Sequence, residues 1–514
     1  MKANEDLLIA LDLGTSTIKV GLFTPQGVLL RVETREQKLI LLEDGKVEQS
    51  PQETWNLIAD GVRCIMVGQE PESVKAIALS VQRGSVVPLS ANGNPLTNLI
   101  VWMDKRGLSI ANQIGEELGN QAYYNIAGHP ISYITGMSKV LWIHHYRLDI
   151  LPMVDVIAPP ETLFLKWLGC DEFVCSDSTG TYLFPFDIQK KSWSEELSGN
   201  LQFPLGKLPK LVKSVDVVGQ LSKKAALDFG LVPGIPLVPG GGDGQCAAVG
   251  CGVVHPGLCM INIGTATGVQ TFLPQPVLDL NCILNCAAHV VPDAWEMEGH
   301  TQCSGAVFRW LRDEFGAAEL AIERKSNLDA FDLLVDQAMN APPGADGLLF
   351  LPTFNGSTAP VMDQTARGAL IGLGLNHSRS HVIRALLEGI SLEIRSMVDA
   401  IVETGASIDE IRLVGGGAKN PDWNQIHADI INRPVKTVKV IDAALVGAAI
   451  CASVAIGEYD KFEDAANNFI EIEKTIEPNI NNYQIYQNVY NNYQQSFKLF
   501  SDSGLFKKLQ DVVR

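Results

Sequence analysis

No CxxC pair occurs among the ten cysteines, and the only grouping that hints at metal ligands is Cys282, Cys286, His289, His300 and Cys303. Reduced thiols packed as small hydrophobes are the expected state. No GxxxxGK[ST] segment is present, which excludes a P-loop, and no GxGxxG opens a helix after a strand, which excludes that dinucleotide fingerprint. Long apolar runs are also missing. The opening MKANEDLLIALDLG meets a charged pair before any apolar stretch, unlike a secretory signal, and LVGAAICASVAIG from Leu445 is too short and glycine-rich for a membrane span. Positive charge is scarce: 40 Lys and Arg against 58 Asp and Glu leave a net charge of -18. That balance repels nucleic-acid phosphates and anionic lipid surfaces, so any bound phosphate is a small one in a local pocket. The expected protein is cytoplasmic, with no nucleic-acid or membrane partner.

What is present is an ordinary globular composition, 46% hydrophobic and 19% charged, over 514 residues. That length exceeds what one core usually serves and suggests two large domains. The run Leu7–Asp12, the small residues Gly14, Thr15 and Ser16, and the β-branched stretch from Thr17 to Phe23 predict a β-hairpin. A turn at Pro25–Gly27 leads to a third strand near Val28–Val32, and a later strand near Val74–Leu79 sits between helical segments, so the domain is mixed α/β. LCMINIGTATGVQTF from Leu258 repeats LLIALDLGTSTIKVGLF from Leu7, pairing Asp12, Gly14, Thr15 and Thr17 with Asn262, Gly264, Thr265 and Thr267 without a gap. Two domains of similar topology, each presenting a turn to a shared cleft, are the reading, with a boundary near Gly250–Gly257. Tyr483, Tyr486, Tyr490, Tyr493 and Phe497 recur at helical spacing and predict a packed terminal helix.

A phosphate-binding turn needs converging N–H groups, hydroxyls and little bulk; GTST at Gly14 and GTAT at Gly264 supply all three. Either turn alone is equally an ordinary hairpin. Asp12 beside the first turn is a hard carboxylate suited to Mg2+, directly or through water, and Lys19 is within reach of phosphate oxygens. VPGGGDGQCAAVG from Val238 sets Asp243 and Gln245 among glycines; an acid so placed accepts a hydroxyl proton, or else caps the helix beginning near Gln245. Gln82, Arg83, Trp102 and Asp104 combine hydrogen-bonding groups with an aromatic wall, as a polyhydroxylated ligand requires and as surface loops also show. IRLVGGGAKNPDWNQIHADI runs from a strand through three glycines into a helix, where anionic groups meet backbone. DAALVGAAICA from Asp442 reads as a helix against which another backbone packs closely.

Together these segments resemble the FGGY family of carbohydrate kinases. The most specific match is GALIGLGLNHSRSHVIRALLEG from Gly368, joined by VEQSPQETW, IVWMDKRG, SDSTGTYLFPFD, GGGD, PPGADGLLFLPTFNG and LVGGGAKN. KVLWIHH fits the N-terminal signature at Lys139 and Trp142, while Gly136 departs from it. The resemblance implies an α/β fold of two actin-like (ribonuclease H-like) ATPase domains with an interdomain cleft, 1–253 and 254–514, and ATP with Mg2+ as cofactors. It implies that Gly14, Thr15, Ser16, Thr17 and Lys19 form the first phosphate loop and Gly264 and Thr265 the second. Gly305, Gly416, Gly417 and Asn420 then lie around the nucleotide. Asp243 is the implied catalytic base, Asp12 and Asp243 the metal-side carboxylates, and Gln82, Arg83, Trp102, Asp104, Asp243 and Gln245 the substrate-facing set. A tendency toward homodimers is implied as well, with no mark of it in the residues.

The implied reaction is ATP-dependent phosphorylation of a hydroxyl of a small sugar or polyol, with a pentulose such as xylulose as first choice. Gln82 and Arg83 resemble the glycerol kinase pattern, yet Gly84 and Gly244 stand where that pattern differs. The C-terminal half is more similar to xylulose and gluconate kinases, and DGQ with FRWLRDEFGAAELAIERK resembles autoinducer-2 kinases. Glycerol, a tetritol or autoinducer-2 are the alternatives within the enzyme class. An inactive nucleotide-binding regulator is the alternative outside it.

Overall fold

The computed structural model describes residues 6–358, 361–439 and 442–511. The chain is mixed α/β and gathers into two compact units. Unit 1 takes the chain up to His255, Phe272–Glu296 and Asp442–Glu471; unit 2 takes the rest, so the chain passes between units more than once. A single cut after residue 253 leaves both returning segments out of account.

Unit 1 opens with β1 (Leu7–Leu13), β2 (Thr17–Phe23) and β3 (Leu29–Glu36), followed by α1 (Pro51–Ile65) and β4 (Val74–Val81). All seven residues of β1 are buried, as expected for a central strand whose apolar run is covered on both faces. After β5 (Gly219–Gln220), strand β6 (Pro236–Gly242) runs directly into α2 (Asp243–Gly250). The sheet order is β5-β6-β4-β1-β2-β3. β1 and β2 are antiparallel, whereas β1 with β4 and β4 with β6 are parallel.

β6 slips register between Val238 and Gly241. Gly240, at φ +66°, sits where a Cβ would lie 1.8 Å from the Leu79 carbonyl oxygen, so only glycine allows this bulge. The returning helix Ala443–Ala455 is buried on nearly every side, which suits a sequence apolar all round. A Cβ on its Gly447 would come within 1.9 Å of the Cys246 carbonyl oxygen, and one on Gly250 within 1.8 Å of that of Ala443. Small residues therefore let this helix and α2 meet backbone to backbone.

Unit 2 repeats the plan. Its strands are β7 (Gly257–Ile263), β8 (Thr267–Leu273) and β9 (Trp295–His300), then, after α3 (Gly305–Phe315) and α4 (Arg379–Glu403), β10 (Ile408–Gly415). Helix α5 (Pro421–Ile431), β11 (Val435–Val438), β12 (Ile472–Ile476) and α6 (Ile480–Asp502) complete it. Six strands of its seven-stranded sheet run β12-β11-β10-β7-β8-β9, the order of the six-stranded sheet of unit 1. The β7–β8 hairpin is antiparallel and the β7–β10 and β10–β11 pairs are parallel, again matching. The duplication predicted from one short match thus extends to sheet topology. The gapless alignment of the two hairpins hides one difference. Leu13 pairs with Ile18, but Ile263 pairs with Thr267, so the second turn is one residue tighter.

Tyr486, Tyr490, Tyr493 and Phe497 are buried along α6, as the periodicity predicts. Among the described residues no helix is long and apolar enough to cross a membrane.

Candidate functional site

In unit 1 the first turn closes with the Gly14 N–H donating to the Thr17 carbonyl at 3.1 Å. Its Thr15 is held from several sides: the Trp102 indole N–H donates to Thr15 Oγ1 at 2.9 Å, and that hydroxyl donates to Gln82 Oε1 at 3.1 Å. Gln82 Nε2 donates in turn to Gln49 at 2.7 Å, and Gln49 reaches back to the Thr15 carbonyl. Gln82 is buried, and both ends of its amide are used inside the protein. These bonds tie Gln82 to the first turn.

Asp104 is likewise held inside the protein. It is fully buried, with one oxygen accepting from the Val47 N–H at 2.6 Å and both held by the Arg106 guanidinium at 2.8 and 2.9 Å. A carboxylate saturated by a strand and a buried arginine braces the loop. Trp102 is half-buried beside it.

Asp12 lies at the end of β1, opposite Lys19 on β2 and Ser80 on β4. The Ser80 hydroxyl donates to Asp12 Oδ1 at 2.8 Å. Burial pushes the Asp12 carboxyl up to about 6, further raised by the charges of Asp243 and Asp442 and opposed by the Ser80 bond and Lys19. Lys19 forms an ion pair with Asp442, at the start of the returning helix. Among the described residues no three His, Cys, Asp or Glu side chains converge as a metal cage. The cysteines are free and the Cys/His grouping forms no such site. Two mutually repelling carboxylates with few other protein ligands fit a small, hard cation that keeps most of its water, as Mg2+ does.

Asp243 is delivered by the β6 bulge as the first residue of α2; the cap position belongs to Gly242, so Asp243 is not the helix cap. Its side chain is 41% exposed and faces Arg83 Nε at 3.2 Å. Arg83 also faces Glu296 at 3.9 Å and lies 4.6 Å over the Tyr182 ring. A Cβ at Gly242 would sit 2.6 Å from Arg83 Cδ and 2.4 Å from Gln245 Oε1, so glycine opens the space both side chains occupy. Gln245 is fully buried and both its amide atoms lack a protein partner.

In unit 2 the second turn rests on the start of α3. The Gly305 N–H donates to the Gly264 carbonyl at 3.0 Å, and Ser304 and Ala306 donate to the Thr265 carbonyl at 3.0 and 3.1 Å. A Cβ on Gly305 would lie 2.3 Å from the Gly264 oxygen. Gly415, at φ +87°, ends β10 against the Ile263 carbonyl, and Gly416 beyond it is exposed. Gly417 packs on Ile263. Asn420 caps α5 through the N–H groups of Asp422 and Trp423 at 3.0 and 3.2 Å and donates to Asp332 at 2.7 Å. Its amide is thereby occupied in holding the helix.

Ser80, Tyr182 and Glu296 were not singled out by sequence reasoning. Ser80 meets Asp12 only through parallel register, which leaves no local signal; Tyr182 stood inside the SDSTGTYLFPFD segment without a role.

The model of the FGGY carbohydrate kinase N-terminal domain matches residues 7–250, and that of the C-terminal domain residues 259–456. The chain is 30% identical over 499 residues to a xylulose kinase of Staphylococcus epidermidis, covering 96% of this chain and 97% of that one. It is 28% identical over 464 residues to a gluconokinase of Bacillus subtilis, covering 90% of each. The crystal structure of ligand-bound xylulose kinase from Lactobacillus acidophilus superposes with a TM-score of 0.90 at 22% identity, over 98% of this chain and all of that one. That likeness identifies the fold, two domains of the actin-like ATPase type. With both domain models in order along a duplicated α/β architecture, the chain belongs to the FGGY family of carbohydrate kinases.

Proposed function

We propose that this carbohydrate kinase transfers the γ-phosphoryl group of ATP to a hydroxyl of a neutral sugar or polyol, a pentulose such as xylulose being the first choice. The observation that supports this reading best is Asp243, an accessible carboxylate at the first turn of α2, paired with Arg83 at 3.2 Å and electrostatically linked to Asp12. In this reading Asp243 accepts the substrate hydroxyl proton as the oxygen attacks phosphorus, and ADP leaves with the bridging oxygen. Arg83, Trp102 and the open amide of Gln245 orient the other hydroxyls. Backbone N–H groups of Thr15–Thr17, and that of Thr265, receive charge developing on the phosphoryl oxygens, while the Gly14 and Gly264 N–H groups close their turns and their missing side chains leave room for phosphate. Lys19, ion-paired with Asp442, stands beside the first turn as a donor to phosphate oxygens, while Gly305, Gly416, Gly417 and Asn420 shape the nucleotide side. Mg2+ would be held through water at Asp12 and Asp243, and when bound it neutralises phosphate charge.

The test is Asp243→Asn assayed for ADP release with D-xylulose, alongside nucleotide binding. Loss of about 10²–10⁴ in turnover with nucleotide binding retained is expected. Undiminished turnover removes Asp243 from the mechanism.

A further inference from the structure

The side chain beside Asp243 sits in a slot built for it. Tyr182 covers the guanidinium of Arg83 at 4.6 Å, Gly242 leaves the space its methylenes fill, and Glu296 stands behind it at 3.9 Å. Glu296 has no exposed surface, whereas the Arg83 side chain is 16% exposed and Asp243 41%. Gly84, at φ +68°, follows Arg83 where a Cβ would lie 2.3 Å from the Ile134 carbonyl oxygen, so the backbone that aims Arg83 into the slot also depends on glycine.

Charge along the slot runs from a buried carboxylate through one guanidinium to an accessible carboxylate. The Arg83 guanidinium thus lies between two carboxylates, with Asp12 a further acid near Asp243. Lys191, over the Trp295 ring, contributes no excess charge because Asp177 pairs with it at 3.6 Å. An arginine beside a kinase's base, taken by itself, is an attractive anchor for a sugar acid. Backed by Glu296 and facing Asp243, it is a directed hydrogen-bond donor whose charge is already shared between two carboxylates, so a third gains little from it.

We infer that Glu296 is a positioning and specificity-determining residue, which acts through Arg83 to select neutral polyols and ketoses against aldonates. This deepens the reading of Asp243 as base and rests on it. Glu296 itself touches no substrate. Its effect is on what Arg83 presents: geometry for hydroxyl oxygens and little net attraction for a carboxylate.

The experiment compares wild type, Glu296→Gln and Arg83→Gln with D-xylulose as substrate and D-gluconate as substrate and competitor, thermal melting being used to confirm folding. Wild type is expected to turn over xylulose and to bind gluconate weakly. Glu296→Gln is expected to tighten gluconate inhibition about tenfold and to raise the KM for xylulose several-fold, with kcat changed less. Arg83→Gln is expected to abolish the gain when combined with Glu296→Gln. A wild-type preference for gluconate, or gluconate inhibition unchanged in folded Glu296→Gln, overturns the inference. Because Asp243→Asn is scored separately, failure here leaves the base assignment intact, and failure there is seen first. If Glu296→Gln does not fold, Glu296→Asp, which keeps the charge and shortens the reach, is expected to weaken xylulose binding without improving gluconate binding. Improved gluconate binding in that variant is equally fatal.

Discussion

Gly305 shows how much of this site rests on single atoms that are missing. Its N–H closes on the Gly264 carbonyl, and an added methyl would overlap that oxygen at 2.3 Å. Overpacking of this kind costs about 1–3 kcal/mol, here directed at the turn proposed to bind phosphate. Gly305→Ala is therefore expected to raise the KM for ATP by roughly tenfold while the KM for sugar stays within about twofold, read from steady-state kinetics. The close approach of Gly305 to the Gly264 carbonyl was not legible in the sequence, because nothing in SGAVFRW announces which carbonyl it meets. The proximity of Arg83 to Asp243 had no local signal, since the two lie 160 residues apart in the chain. The bracing bonds of Gln82 and Asp104 were not legible because their partners, Gln49, Thr15 and Val47, come from other elements. A polar side chain looks the same in sequence whether it faces a ligand or braces a loop.

Among the elements, the hairpins were the most readable, since apolar and β-branched runs and small-residue turns are local. Their one-residue difference in register was not, because it is set by which carbonyl closes each turn, Thr17 in one and Ala266 in the other. α4 carries a different kind of hidden information. Its 25 residues place Arg384, Glu388, Glu393 and Arg395 in the interior. Arg384 and Glu388 pair at 2.7 Å and share the Tyr486 hydroxyl. Glu393 has no such compensation: one carboxyl oxygen lacks a partner, and burial pushes its carboxyl up to about 8. The folded protein then binds this proton more tightly than the unfolded chain, whose carboxyl titrates near 4.5. Its contribution is neutral below about pH 4.5, turns unfavourable as pH rises toward 8 and is constant above, by on the order of a few kcal/mol. Glu393→Gln is expected to melt above wild type at pH 8.5 and to lose that advantage as pH falls to 5. A pH-independent difference in melting temperature would assign Glu393 another role.

At the scale of the whole molecule, unit membership does not follow chain order. The Ala443–Ala455 helix lies between β11 and β12 of unit 2 in sequence, yet packs within unit 1 against α2 and β1. Composition alone marked it as a close-packed helix without saying which unit it completes. Gly447→Val would thrust a branched side chain into the Cys246 carbonyl. Hydrogen exchange is expected to show faster opening of β1 and β4 in this variant, hundreds of residues away in sequence, while β7 and β10 keep their protection. Equal loss in both sheets would contradict the assignment of this helix to unit 1. The same connection bears on how the protein is made. When α2 leaves the ribosome, the helix that covers it is still about 190 residues from being synthesised, roughly 10–40 s at about 5–20 residues per second. During that interval the small-residue face of the nascent chain has no permanent partner. The amino-terminal half of this kinase thus reaches its finished form only late in translation, and a stalled or prematurely ended message would release a first unit without its returning helices.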